Sequence, residues 1–299
     1  MIVLRPAPIN DTTFTSSNIT ENDATAWASG TTYAANAEVM RLHAVYRSLK
    51  DNNTGNPPED DSLTNPVNWA RVRATNKWAM FSNQINDQSS NASTVDVTIT
   101  PGVLVNGLAA FNVDAASIQV IMTDPTDGEV YNETHNLVEN SGVNDWYSWY
   151  FEPIIRQKTL ALLDLPPYAS ATVRVVVSQP SGTAKIGLLT MGNQQRLGDT
   201  DHGTSVGIVD YSRKERDTFG NPVIIQRNFS KRGDYIVTVP TEFVNSIELT
   251  LANLRTTPMT YIGAVNRPST IIYGYYRDFS IVLSNPTTSR LSIDVEGLT

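Results

Sequence analysis

Cysteine is absent from the 299 residues. Disulfide frameworks, thiolate zinc sites and cysteine nucleophiles are therefore excluded, and stability has to come from burial or from neighbours in an assembly. Histidine is nearly absent: His43, His135 and His202 are too scattered for a metal-ligand spacing, and no His-Glu-x-x-His pattern occurs. There is no Gly-rich phosphate loop. No apolar run approaches the length of a membrane span, so no membrane insertion is expected. Met1-Ile2-Val3-Leu4-Arg5-Pro6 meets a charge and a proline after three apolar residues, so export by the usual secretory route is not expected. Charge is scarce at 17% and its balance is acidic, −8 overall, which argues against a nucleic-acid surface built on clustered Lys and Arg. The longest basic cluster, Arg213-Lys214-Glu215-Arg216, is interrupted by an acid and reads as a solvated face.

What is present is short alternation between turn formers. The hydrophobic share of 40% and the length fit a soluble globular protein of two or three domains. Residues 1–21 are rich in Thr, Ser and Asn, and only Ile2-Val3-Leu4 looks able to pair, so they read as an extended arm against the body or a neighbouring subunit. Residues 22–86 read as a small β-module and its connector. Val39, Leu42, Val45 and Tyr46 form two short strands meeting near Arg41-Leu42-His43, Asp51 to Asn65 forms a loop, and Thr75 to Phe81 a helical turn or connector.

After a Ser/Asn linker (Asp87 to Ser93), residues 87–192 alternate as Val95, Val97 and Ile99 do, with further strands at 117–123, 130–137, 145–151, 158–163, 172–178 and 185–191. Turns are expected at Pro125 to Gly128, Ser141-Gly142, Pro166-Pro167 and Pro180-Ser181-Gly182. Residues 193–299 read as a β-rich domain: strands at 206–211 and 223–229 joined by the turn Phe219 to Pro222, then 235–239, 260–263, 271–284 and 290–296. One amphipathic helix is expected near 242–255, capped by Thr241, striped with Phe243, Val244, Ile247, Leu251 and Leu254, and stopped by Pro258. The fold class is mainly β: a small N-terminal β-module followed by antiparallel β-sandwich or jelly-roll-like domains.

Catalytic chemistry has little to stand on, and no catalytic residue, metal ligand or cofactor is assigned. Asp199-Thr200-Asp201-His202-Gly203 could hold a cation but reads better as a polar hairpin tip. Glu59, Asp60 and Asp61 are the candidates for the paired carboxylates of a glycosidase, yet neighbours on a proline-rich loop are usually just solvated. The aromatic signal is stronger. Trp27, Tyr33, Tyr46 and Trp69 could make a sugar-stacking platform, although so small a module needs its rings as core. Trp146-Tyr147-Ser148-Trp149-Tyr150-Phe151 reads as a strand with one set of rings inward and the other outward, the outer row being a subunit interface before a ligand site.

Ala26-Trp27, Thr31-Thr32-Tyr33, Val39, Tyr46-Arg47-Ser48, Gly55-Asn56-Pro57-Pro58 and Trp69 follow in order the pattern of the small chitinase and cellulase carbohydrate-binding modules (families 5 and 12), which this segment resembles. Chitin-binding members carry exposed Trp residues where this chain has Leu49-Lys50-Asp51-Asn52, so the resemblance covers the framework and not the usual sugar-stacking residues. The wider chain resembles tailed-bacteriophage structural proteins often labelled carbohydrate-binding tail proteins. The matching stretches are Thr75 to Phe81, Asn144-Asp145-Trp146-Tyr147, Phe151-Glu152-Pro153-Ile154, Leu165-Pro166-Pro167-Tyr168, Ser205-Val206-Gly207-Ile208, Asp210 to Lys214, Phe219-Gly220-Asn221, Phe229-Ser230-Lys231-Arg232 and Glu296-Gly297-Leu298-Thr299. What this implies is a non-enzymatic virion protein of the tail tip or baseplate, made in the host cytoplasm, assembling as a homo-oligomer with other tail or baseplate proteins. The alternative it implies is an adhesion protein gripping a host-surface polysaccharide through the N-terminal module.

Overall fold

The alternation of small apolar and polar residues becomes one layer of a sandwich. Val95, Val97 and Ile99 in strand Ser89–Ile99 are buried, as are Ile118, Val120 and Met122 in Ser117–Asp124 and Val173, Val175 and Val177 in Thr172–Ile186. Because side chains point alternately to opposite faces, these three strands present one continuous apolar surface. The computed structural model describes all residues except 62, 140–144, 152–154 and 217, and describes no side chain at 139, 148, 149 and 155. The expected Ser141-Gly142 turn and the stretches Asn144 and Glu152-Pro153-Ile154 lie outside the described residues.

Five strands form this sheet in the order Gly128–Asn136, Ser117–Asp124, Thr172–Ile186, Ser89–Ile99 and Phe14–Ser17, every pair antiparallel. A longer antiparallel sheet of ten strands faces it. Its path runs Thr159–Leu162, Gly107–Phe111, Leu188–Arg196, Ile2–Pro6, Met259–Ile262, Ile271–Val282, Thr288–Gly297, Phe229–Pro240 and Asp199–Thr200, with Ser205–Asp210 also paired to Phe229–Pro240. Leu108, Ala110, Leu189 and Met191 of the long sheet share one buried cluster with the valines of the shorter one, which closes the β-sandwich. The opposite face is covered too. Leu4, Ala109, Phe111, Ile262, Ile271 and Tyr273 form a second layer there. In the C-terminal half, Ile247 and Leu251 of helix Val244–Asn253 pack on Tyr235, Val237, Tyr261, Ile293 and Val295.

Ile2-Val3-Leu4 does pair, in the middle of the long sheet, between Leu188–Arg196 and Met259–Ile262. The N-terminal ammonium donates to the Gly198 carbonyl, and Val3 and Leu4 are fully buried. Phe14–Ser17 then crosses to the five-stranded sheet, so the first seventeen residues stitch both layers together. The strand passes Gly192 so closely that a Cβ there would collide with the Arg5 carbonyl.

The residues 22–74 form a separate small sheet of four strands, Thr25–Ala26, Glu38–Arg41, Ala44–Ser48 and Trp69–Ala74. Leu42 and His43, both at positive φ, make the tight reversal between the middle strands, where the sequence placed it. The connector is a short 3-10 turn, Ala79–Phe81. Trp78 stacks on His43 at 4.1 Å and on Phe14 at 5.1 Å, joining the module to the sandwich.

Several expectations are corrected. Trp146–Phe151 is a helix, not a strand. Its four described rings fall at i, i+4 spacing, and Tyr147 meets Phe151 at 4.8 Å, a contact a helix allows and an alternating strand does not. The linker at Asp87 to Ser93 is instead largely the first half of strand Ser89–Ile99, because Asn76 and Met80 give its backbone and Ser89 hydrogen-bond partners. Pro180-Ser181-Gly182 does not end a strand; Thr172–Ile186 runs through it with a bulge between Ser178 and Thr183. Thr241 does not cap the helix. It opens a 3-10 turn, Thr241–Phe243, and its hydroxyl bonds the Asn285 carbonyl and Ser289, while Phe243 stands exposed.

Candidate functional site

Four rings were singled out in the module, and three of them form its core. Trp69, Tyr33 and Tyr46 are buried together with Val39 and Ala44. Trp69 and Tyr33 meet edge to face at 5.2 Å. The Trp69 indole donates to the Asn56 carbonyl at 2.9 Å, and the Tyr33 hydroxyl accepts from the Ala28 amide at 2.8 Å. Their faces and polar edges are thus taken up inside the module, where burying a large ring contributes about 2 kcal/mol or more. Trp27 differs. It is half-buried, and the Arg41 guanidinium lies over its ring at 4.3 Å. Arg41 is held there by Glu59 at 2.7 Å. The four residues therefore do not make one open platform.

The Glu59-Asp60-Asp61 run divides into three roles. Glu59 positions Arg41, and Asp60 is exposed. Asp61 turns its carboxylate inward and accepts from the backbone N–H groups of Val67, Asn68 and Trp69 at 3.1, 2.9 and 2.7 Å. Sequence reasoning missed this anchor. An Asp six to eight residues ahead of the strand that carries the core Trp was the available signal, since an acceptor-only side chain in a loop can satisfy a row of strand-end donors. Asp199 and Asp201 likewise face separate partners: Asp199 pairs with Arg196, and Asp201 accepts from the Thr238 hydroxyl at 2.6 Å. Among the described residues no group of three His, Cys, Asp or Glu side chains could hold a metal ion.

The most exposed apolar surface lies elsewhere. Ser205–Asp210 pairs with Phe229–Pro240, and Arg213–Arg216 pairs with Pro222–Ile225 in the same sense. The turn expected at Phe219 to Pro222 closes the pair 213–216 with 222–225, rather than joining 206–211 to 223–229, so the two ladders run on as one ribbon that is two-stranded from Ile208 outward, its base at Ser205 to Gly207 lying in the long sheet. Nearly every described residue from 205 to 229 is exposed, with Phe219 at 88%, Ile224 at 68% and Ile208 at 63%. The aromatic helix is a second such patch, with Trp146 84% and Tyr150 75% exposed. At the ribbon's foot a cavity of about 360 Å³ is lined by Phe111, Arg227, Phe229, Lys231 and Tyr273 among others. Lys231 donates to the Pro268 carbonyl at 3.3 Å, and burial lowers its pKa.

A third surface is acidic. Asp127, Glu129, Glu133 and Asp164 are exposed on or beside Gly128–Asn136, which ends the five-stranded sheet among the described residues, while Asp124 beside them is buried. The Tyr131 hydroxyl donates to Glu133 at 3.3 Å and to Asp164 at 3.3 Å, and the Tyr168 hydroxyl to Asp127 at 2.9 Å. Burial, then the Asp164 and Glu133 charges, push the Tyr131 hydroxyl well above its ordinary range. None of the five carboxylates pairs with a Lys or Arg among the described residues. No described helix is long and apolar enough to cross a membrane. No protein-family model matches the chain, and no curated protein sequence matches it at a significant level.

Proposed function

We propose that the chain is a virion structural protein of a tailed bacteriophage, a tail-tip or baseplate component that assembles as a symmetric oligomer and acts as an adaptor by packing. The observation that carries the reading is the ribbon. A two-stranded antiparallel ladder with both faces in water is marginal on its own, and this one is rich in β-branched apolar residues such as Val223, Ile224 and Ile225. Such an element is consistent with a surface that other subunits cover. The short stretches resembling phage tail proteins support the same reading. The role needs burial and edge pairing but no catalysis, and no cofactor is invoked.

Negative-stain electron microscopy of the purified chain and gold labelling of virions test it directly. Ring-shaped particles and label at the tail tip are expected; a monomer that labels the capsid, or no virion at all, overturns the proposal. The glycan-binding alternative rests on Trp27, the one ring of the four that is only half-buried. It expects host envelope polysaccharide to be retained by wild type and lost in Trp27→Ala with an unchanged circular-dichroism spectrum.

A further inference from the structure

We infer that the ribbon docks on the acidic sheet edge of a second copy of this chain, a head-to-tail contact between two different surfaces. The inference rests on the assembly proposed above and names its junction. Charge is the first argument. From 205 to 229 the chain carries four Lys and Arg against three acids, although the whole chain stands at −8, and strand Arg213–Arg216 holds three of those four against one acid. The outer strand of the ribbon is therefore a basic edge on an acidic molecule. Arg213 and Lys214 already pair with Glu215 and Asp210, but all four side chains are about a third exposed or more, so both pairs are weak and can exchange partners.

Hydrogen-bonding capacity is the second argument. Gly128–Asn136 ends the five-stranded sheet, and Arg213–Arg216 pairs only with Pro222–Ile225 among the described residues. Each strand therefore has a row of backbone donors and acceptors facing outward, which another strand can complete. Setting these two edges together places Arg213, Lys214 and Arg216 against a strand bearing Glu129 and Glu133, with Asp127 and Asp164 beside it. Opposite charges across a pair of strands are stabilising, and like charges oppose pairing. Apolar Ile224 and Phe219 would be covered in the same step. Because the two surfaces differ, repeating the contact gives a ring if the rotation closes and a filament if it does not.

The test uses charge reversal in the full chain. One variant carries Arg213→Glu, Lys214→Glu, Arg216→Glu and Arg227→Glu; the other carries Asp127→Lys, Glu129→Lys and Glu133→Lys. Size-exclusion chromatography with light scattering reads mass against concentration, and circular dichroism with thermal melting reports folding. Wild type is expected to assemble, and added salt to weaken it. Each variant alone should need about 100-fold more protein to assemble, or more. Mixing the two variants in equal amounts should restore assembly, because each reversed ribbon then meets a reversed edge. If wild type assembles and the folded variants assemble as it does, or the mixture fails to recover, the junction is wrong while the assembly proposal stands. If wild type stays monomeric at every concentration, both fall.

Discussion

Asp61 is the side chain on which the small module's geometry depends most directly. Its two carboxylate oxygens accept three consecutive backbone donors, from Val67, Asn68 and Trp69. A hydrogen bond to a charged group contributes about 1.5–3 kcal/mol, so three taken at face value would exceed the worth of most single side chains. The structure reduces that sum. Val67 is 69% exposed, so water can replace the carboxylate at its amide. Trp69 is 1% exposed, and its amide lies at the start of strand Trp69–Ala74, where a lost acceptor is harder to replace. Removing the carboxylate in Asp61→Ala should therefore destabilise the chain by about 2–3 kcal/mol, mostly through the Trp69 end of the row. Asp61→Asn, which keeps one acceptor oxygen, should cost about half as much. The neighbouring Asp60→Ala should stay within about 0.5 kcal/mol of wild type, as surface substitutions usually do. Urea unfolding gives the totals, and hydrogen exchange of peptides covering 61–69 gives the location. If Asp61→Ala matches wild type, or Asp60→Ala is equally damaging, the carboxylate is not the anchor.

Gly192→Ala should drive the Arg5 carbonyl away and strip strand Ile2–Pro6 from the long sheet. A loss of about 3 kcal/mol or more, with fast exchange of the Ile2, Val3, Leu4 and Arg5 amides, is the expected result. Burial pushes the Tyr273 hydroxyl up to about 12, from an ordinary value of 10. The unfolded chain therefore loses this proton first, so the stabilisation is complete below pH 10 and is lost as pH rises towards 12. Alkaline titration followed by fluorescence should show unfolding in that window, with a share of about 2–3 kcal/mol that disappears in Tyr273→Phe. Asp234 and Asp294 face each other across two strands with Arg232 between them, at 3.2 Å from one and 3.4 Å from the other. Burial raises the Asp294 carboxyl, whereas Asp234 is lowered, its burial being outweighed by hydrogen bonds from Ser205 and Arg232. Arg232→Gln should destabilise the chain only slightly at neutral pH, because the guanidinium stands largely in solvent. The defect should shrink as pH falls and the pair takes up a proton, and equilibrium unfolding at pH 7 and pH 4 checks this.

Much of the β architecture was legible because burial on one face imposes a two-residue period. Val95, Val97 and Ile99 announce their strand by that rule alone, and the module's reversal at Leu42-His43 follows from two short runs meeting. Helix and strand are harder to separate where every residue is large and aromatic. Trp146 to Phe151 fits either period, and the helix it forms could not be read from six residues. Side-chain roles in loops were also hidden. Asp60 and Asp61 are indistinguishable by type, and only the returning chain shows which one turns inward.

By itself the sequence determined a chain without cysteine, with little charge and with alternating short strands, which must fold as β-structure held by burial. It also determined which rings belong to the module. Only the tertiary structure decided that Tyr33, Tyr46 and Trp69 spend their faces on one another, that the first strand lies in the middle of the long sheet, and that residues 205 to 229 stand out as a ribbon. The physical reason is common to all three. Alternation fixes which face of a strand is apolar, but what covers that face depends on long-range pairing, which no local pattern encodes.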